Sequence, residues 1–266
     1  MNADHSLAPL LSVMRRLRDP DTGCTWDLAQ DFASVAPYTI EEAYEVADAI
    51  DRADVTALKE ELGDLLLQVV YHAQIAAEAG AFSFADVAAG ITAKMIARHP
   101  HVFDTKTHAI DSGMTDVRWE ELKHTERADK GADSSMDGVA RALPALMRAQ
   151  KLQKRAARDG FDWPNVEGPL AKLHEEIDEF TAAPDDTARA EEAGDLLFAA
   201  VNLLRAYGID GEQALRSANE KFERRYRAME ELAADAFSSL SLEEQEALWQ
   251  SVKLREQPGC PSPQVA

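Results

Sequence analysis

The strongest constraint on the fold is a set of short motifs that occurs twice, in the same order, along the 266 residues. An E-x-x-E pair is followed in each copy by an E-x-x-D pair. Basic and tryptophan motifs flank these pairs in the same order, with intervals of similar length. The carboxylates are Glu42, Glu45, Glu61 and Asp64 in the first copy and Glu176, Glu179, Glu192 and Asp195 in the second. Ordered self-similarity of this kind indicates a tandem duplication.

The composition favours helices throughout. Glycine (13) and proline (11) are sparse, and Ala, Leu, Glu and Arg, which are strong helix formers, dominate. The apolar stretches 64–77 and 195–207 are too long for ordinary strands and predict buried helices. Further helices are predicted at 7–18, 39–52, 84–97, 139–158, 169–182, 211–234 and 241–254, with loops at 19–38, 99–116 and 159–168. The predicted fold class is all-α, with tandem duplicated helical-bundle domains.

The duplication also predicts the domain limits. We expect an N-terminal helical domain over 1–123, a polar linker over 124–138 and a C-terminal helical domain over 139–256. Three prolines and a glycine from Gln257 onward indicate a flexible tail over 257–266.

The charge balance excludes several classes of partner. The chain carries 28 Lys and Arg against 48 Asp and Glu, a net charge of −20. A field of that sign repels nucleic acid and anionic lipid, so we expect neither as a partner. The two cysteines form no disulfide or zinc pattern, and apolar stretches of membrane-spanning length are missing. These features predict a cytoplasmic protein.

The carboxylates predict a metal site in each copy. Residues at i and i+3 share one helix face, and a short connection makes successive helices antiparallel neighbours. The four carboxylates of a copy can therefore converge, which would be strongly repulsive without a cation between them. Oxygen ligands suit a hard ion, Mg²⁺ first and Mn²⁺ second.

Two alternatives compete with the metal site. Glutamate pairs on helices are often solvated surface charge, although surface charge has no reason to stay in phase with a buried stretch in both copies. Thr39 and Glu42 also match a capping box, in which Glu42 would reach back to a helix N-terminus. The second copy lacks such a box, so capping cannot explain both.

Basic and aromatic residues predict a phosphate and base site beside the carboxylates. Lys221 and Arg225, with Arg224 beside them, place positive charge on one helix face, and Lys94 and Arg98 repeat this spacing. Such groups bind phosphate, or alternatively pair with Glu220 and Glu223. The basic stretch 141–158 could likewise hold phosphates or contact an acidic subunit surface.

Tryptophans at helical spacing have two interpretations. Trp119 and Trp249 each precede a lysine, Lys123 or Lys253, by four residues. Either they stack on a nucleobase or they belong to the core. Trp26 and Trp163 are interpreted as structural loop anchors.

These motifs resemble the MazG family of nucleoside triphosphate pyrophosphohydrolases in its two-domain bacterial form. The resemblance rests on residues 36–45, 60–66, 98–103, 174–179, 191–198 and 219–225. It implies a homodimer of all-α chains. It also implies Mg²⁺-dependent hydrolysis of NTPs and dNTPs to the monophosphate plus pyrophosphate, as house-cleaning of the nucleotide pool.

The resemblance also implies roles for individual residues. Glu176, Glu179, Glu192 and Asp195 would be the catalytic metal carboxylates, with Glu42, Glu45, Glu61 and Asp64 as their first-copy equivalents. The nucleotide would contact Lys172, Glu191, Lys221, Arg224, Arg225, Trp249 and Lys253. The first copy departs at Ala97, which stands where the second has Arg224.

Two other functions stay open at this point. One is a helical pyrophosphohydrolase with a narrow substrate, dUTP or phosphoribosyl-ATP. The other is a non-enzymatic scaffold that binds Mg²⁺-nucleotide.

Overall fold

The computed structural model describes residues 7–103 and 133–256. The chain divides into two compact units, Met1–Lys123 (the first unit) and His124–Ala266 (the second unit). Every regular element within the described residues is a helix, which confirms the predicted all-α fold. Trp119, Lys123, most of the predicted linker and the whole predicted tail lie outside the described residues.

The first unit is built around one long helical hairpin. Its helices are α1 (Ala8–Leu17), α2 (Thr25–Leu28), α3 (Phe32–Asp51), α4 (Val55–Glu78), α5 (Phe84–Arg98) and α6 (Pro100–Phe103). A three-residue connection, 52–54, makes α3 and α4 adjacent along their length, and α1 packs against α4. The core between them consists of Met14, Val35, Val70, Tyr71 and Ile75.

The second unit repeats this hairpin. Its helices are α7 (Ala145–Arg158), α8 (Glu167–Ala182), α9 (Asp186–Ala206), α10 (Gly211–Ala233), a 3-10 helix (Ala234–Ser239) and α11 (Leu242–Arg255). Helix α9 packs against α8 and α7, and α10 packs against α11. The hairpin α8–α9 corresponds to α3–α4 and carries the second set of motif carboxylates.

Aspartate caps set the starts of the hairpin helices. The Asp31 side chain accepts from the Ser34 amide in a capping box, so α3 begins seven residues before the predicted position and contains Pro37 in its interior. Asp54 and Asp185 cap α4 and α9, and each side chain accepts from the amides two and three residues further along the chain. The prediction of a loop over 19–38 is therefore wrong for α2 and for the first turns of α3.

The proposed cap at Thr39 is also wrong. Thr39 lies inside α3, where a side chain cannot reach the orphan amides of a helix start. Its Oγ1 instead lies 3.0 Å from Nε2 of His72 on α4. Glu42 is therefore not the capping-box partner at the start of α3, where Asp31 and Ser34 form the capping box.

The described residues include no helix that is both long enough and apolar enough to cross a membrane.

Candidate active site

Three carboxylates converge between α8 and α9. Glu176, Glu179 and Glu192, here called the C-terminal cluster, each place a carboxylate oxygen within 4.8 Å of the others. The i, i+3 spacing puts the first two on one face of α8, and α9 presents the third across the hairpin. Glu176 is buried, Glu192 is half-buried and Glu179 is exposed.

The pKa of Glu192 reflects the repulsion among the carboxylates of the C-terminal cluster. Burial raises the pKa of the Glu192 carboxyl above its usual value, and the charges of Glu179, Glu176 and Asp195 raise it further. Asp195 lies one turn after Glu192 on α9. Three of the four predicted second-copy carboxylates therefore converge, and Asp195 acts on Glu192 through its charge without belonging to the group of three.

The first unit contains a matching group. Glu42 and Glu45 on α3 and Glu61 on α4, here called the N-terminal cluster, also have carboxylate oxygens within 4.8 Å of one another. Burial raises the pKa of Glu42, as do the charges of Asp64 and Glu45. Burial and the same two neighbours raise the pKa of Glu61 as well.

The donor set of both clusters suits a hard divalent cation. Mg²⁺ and Mn²⁺ prefer carboxylate oxygens, and a cation among these groups would relieve the repulsion that raises their pKa values. The recurrence of one geometry in both units argues against incidental surface charge.

Lys172 adds a positive charge to the second unit. Its Nζ lies 2.8 Å from Oε1 of Glu175 and 2.8 Å from Oε1 of Glu176. The hydrogen bonds to Glu175 and Glu176 raise the pKa of Lys172, so it stays protonated. In the first copy, Tyr38 occupies the corresponding position, four residues before Glu42.

Three of the predicted nucleotide contacts, Arg224, Arg225 and Trp249, lie where α10 meets α11. Arg224 and Arg225 both pair with Glu256, at 3.1 and 2.7 Å. The Arg225 guanidinium lies 5.5 Å from the centre of the Trp249 ring, which also packs against Phe222. The hydrogen bonds of both arginines thus go to Glu256 and not to the C-terminal cluster.

The other predicted contacts differ in exposure. Lys221 on α10 and Glu191 on α9 are exposed, and Lys253 on α11 is half-buried. Glu223, considered above as a partner of Lys221 or Arg225, pairs with Arg227 at 2.5 Å.

A cavity of about 570 Å³ in the second unit adjoins the C-terminal cluster. We call it the C-terminal cavity. Its lining includes Glu176, Asp195, Trp163, Phe198, Asn202 and Arg205. Sequence reasoning missed Asn202 and Arg205 and gave Trp163 only an anchoring role. One signal was present, because Asn202 is a lone amide inside the apolar stretch 195–207.

Comparison with known proteins identifies both halves. The model of the MazG nucleotide pyrophosphohydrolase domain matches residues 30–103, and that of phosphoribosyl-ATP pyrophosphohydrolase matches residues 143–222. Both matches contain the motif carboxylates of their unit.

Whole-chain relatives agree. A nucleoside triphosphate pyrophosphohydrolase of Escherichia coli K12 is 51% identical over 255 residues, which cover 93% of this chain and 97% of that protein. The nucleoside triphosphate pyrophosphohydrolase/pyrophosphatase MazG of Thermotoga maritima is 42% identical over 247 residues, which cover 92% and 94%. The carboxylate clusters and these full-length matches together place the chain in the MazG family of nucleoside triphosphate pyrophosphohydrolases.

Proposed function

We propose that the C-terminal cluster, loaded with Mg²⁺, is the catalytic centre at which NTPs and dNTPs are hydrolysed to the monophosphate and pyrophosphate. The observation that carries this proposal is the convergence of Glu176, Glu179 and Glu192 beside a cavity. The names of the full-length relatives support the reaction class.

The hydrolysis requires one bond to form and one to break. Water oxygen bonds to the α-phosphorus, the bond from that phosphorus to the bridging oxygen of the β-phosphate breaks, and pyrophosphate leaves. The proton of the water passes to a carboxylate of the cluster. When bound, Mg²⁺ supplies positive charge against the triphosphate and the leaving group.

The chain's own residues hold the substrate around this centre. The cluster carboxylates fix the cation, and Lys172 contributes a permanent positive charge beside Glu176. Lys221 and Arg225 would hold the β- and γ-phosphates, with Arg224, Trp249 and Lys253 next to them. Because the net charge of −20 opposes an anionic substrate, affinity should depend steeply on the divalent ion.

The N-terminal cluster is assigned an accessory role in this proposal. Its carboxylates match those of the second unit, but Tyr38 and Ala97 stand where the second copy has Lys172 and Arg224. We expect it to bind a divalent ion without supporting comparable turnover. A homodimer in the cytoplasm, acting in nucleotide-pool house-cleaning, completes the proposal.

The test is a product assay with matched variants. Purified protein is incubated with NTPs and dNTPs, with and without Mg²⁺ or Mn²⁺, and the products are separated by chromatography. Glu176→Gln should lose at least 100-fold in kcat, because it removes a ligand from the catalytic centre. Its counterpart Glu42→Gln should retain most activity. Diphosphate plus phosphate as products, or equal losses in both variants, would contradict the proposal.

Phosphoribosyl-ATP belongs in the same substrate panel. The phosphoribosyl-ATP pyrophosphohydrolase model matches residues 143–222, which contain the C-terminal cluster. A kcat/KM for phosphoribosyl-ATP that exceeds every NTP value by tenfold or more would replace the broad substrate range with the narrow one.

A further inference from the structure

We propose that the C-terminal cavity is the nucleobase pocket and that Asn202 determines which edge of the base it accepts. The inference rests on the proposed function, because it assigns the remainder of the nucleotide whose phosphates lie at the C-terminal cluster. Every natural nucleobase carries hydrogen-bond acceptors, so Asn202 would select the edge of the base that enters the cavity, and the substrate class is a nucleoside phosphate.

The cavity and the carboxylate site are continuous. Glu176 belongs to the C-terminal cluster and also lines the cavity. Asp195, one turn after Glu192 on α9, lines the cavity as well. A nucleotide with its phosphates at the cluster can therefore place its nucleoside portion in the cavity. The volume of about 570 Å³ lies inside the range typical of small-molecule sites.

Asn202 has a fixed polarity. Its Oδ1 accepts from Nε and Nη2 of Arg205, at 2.9 and 2.7 Å. The side chain therefore has only its amide nitrogen left for a ligand, and this nitrogen is a donor. Asn202 is 7% exposed, and no hydrogen bond from its amide nitrogen occurs among the described residues. A buried amide donor of this kind favours a carbonyl oxygen or a ring nitrogen on the base.

Arg205 also fixes the loop that lines one side of the cavity. Its Nη1 and Nη2 donate to the Asp162 carboxylate at 2.9 and 2.5 Å. These bonds hold the pKa of Asp162 below its usual value. The next residue, Trp163, is thereby held against the cavity, where its indole provides a flat face for stacking on a base.

The first copy provides an internal comparison. Tyr71 stands seven residues after Asp64, as Asn202 stands seven residues after Asp195. Tyr71 is 5% exposed within the core, and its hydroxyl donates at 2.9 Å to the Asp27 carbonyl. Where the second copy offers a donor to a cavity, the first copy has a packed aromatic ring. Base recognition is therefore a property of the second unit.

The experiment separates base binding from phosphate binding. The inhibition constants of the nucleoside monophosphate and of pyrophosphate are measured against the best NTP substrate, together with KM and kcat. Asn202→Leu removes the donor, and Asn202→Tyr introduces the residue of the first copy. Trp163→Leu, at a partly exposed position, tests the cavity wall with little risk to folding.

We expect Asn202→Leu to weaken monophosphate inhibition and raise KM about three- to tenfold, with pyrophosphate inhibition unchanged. Asn202→Tyr and Trp163→Leu should weaken monophosphate inhibition in the same selective way. The control is Gln150→Leu, because Gln150 is equally buried on the neighbouring α7 but does not line the cavity. It should leave both inhibition constants at wild-type values.

Two results would overturn the proposal, and they differ from each other. Wild-type protein that hydrolyses NTPs while Asn202→Leu and Trp163→Leu bind the monophosphate normally would refute the pocket alone. Wild-type protein that hydrolyses no nucleotide in the panel would refute the proposed function, and the pocket with it.

Discussion

Lys172 Nζ lies 2.8 Å from Oε1 of Glu176, the buried carboxylate of the C-terminal cluster. The second copy therefore has a cation of its own in contact with its carboxylate cluster. Tyr38 holds the corresponding position in the first copy and carries no such charge. Lys172 partly neutralises Glu176 in the metal-free protein. Under the proposed function, it contacts the substrate phosphates once the metal and the nucleotide are bound.

Replacement of Lys172 by methionine should have opposite effects on metal and nucleotide. Loss of the competing cation should tighten Mg²⁺ binding without nucleotide, by about twofold to fivefold, because a partly exposed ion pair contributes only about 0.2–1 kcal/mol. KM for the nucleotide should rise, since a positive charge next to the phosphates is lost. Calorimetric titration with Mg²⁺ and steady-state kinetics measure the two effects.

Lys154→Met is the control for Lys172→Met. Lys154 is exposed on α7, and its replacement changes the net charge by the same amount without touching the cluster. Equal changes in Mg²⁺ affinity and in KM in both variants would mean that the overall charge of the protein causes the effect. Weaker Mg²⁺ binding in Lys172→Met would show that Lys172 supports the metal site instead of competing with it.

Glu256 should compete with the substrate phosphates for Arg224 and Arg225. It pairs with Arg224 and Arg225, and the hydrogen bond from Arg225 holds the pKa of its carboxyl below the usual value. If these arginines hold phosphates, Glu256→Gln should lower KM for NTPs about twofold to fivefold with kcat unchanged. Initial-rate kinetics at constant free Mg²⁺ test this.

The control for Glu256 is Glu243→Gln, an equal charge change in the first turn of α11. It should leave KM near the wild-type value. An increase in KM for Glu256→Gln would mean that Glu256 positions the arginines and does not compete for them.

The carboxylate clusters were predictable from the sequence because helix periodicity converts residue spacing directly into a shared face. The same periodicity gave α1 and α5 to within one residue at each end. It did not give the start of α3, because residues 19–38 were predicted as a loop while the cap at Asp31 places the helix start within that stretch.

The C-terminal cavity was not predictable for a different reason. Trp163 and Asn202 lie on separate elements, and no local pattern joins them. Their proximity depends on how the loop before α8 packs against α9. Comparison of the two copies does not reveal the cavity either. Asn202 corresponds to Tyr71, so the copies share no motif at that position.

Gly168 should be required for the position of Trp163. A Cβ atom at Gly168 would lie 2.0 Å from Cδ1 of the Trp163 ring, which leaves no room for a side chain. Gly168→Ala should therefore destabilise the protein by about 1–3 kcal/mol through overpacking, despite the higher helix propensity of alanine. Denaturant unfolding monitored by tryptophan fluorescence measures the change.

Gly90→Ala supplies the control for the Gly168 variant. Gly90 is exposed inside α5, and its Cβ would meet no atom within 4 Å. Alanine there should stabilise the protein by about 0.5–1 kcal/mol. A stabilising Gly168→Ala would mean that the indole moves aside freely and that the glycine has no positioning role.

Stability should depend on pH and on divalent ions through the same carboxylates. Burial and neighbouring charges raise the pKa of Glu192 above its ordinary value of 4.5. The folded state therefore binds more protons than the unfolded state just above pH 4.5, so the unfolding free energy of the metal-free protein falls as pH rises through that window. Burial acts in the same direction on Glu42 and Glu61.

Glu192→Gln should accordingly raise the melting temperature at pH 7 without metal, because it removes a charge from the repulsive group. Mg²⁺ at 100 times its Kd stabilises a single site by about 2.7 kcal/mol. The variant should lose this gain at the C-terminal cluster and keep that of the N-terminal cluster. Thermal unfolding at several pH values, with Mg²⁺ or EDTA, measures both effects.

Glu220→Gln, at an exposed position on α10, is the charge-matched control. A lower melting temperature for metal-free Glu192→Gln would mean that the carboxylate stabilises the fold, and the repulsion argument would fail.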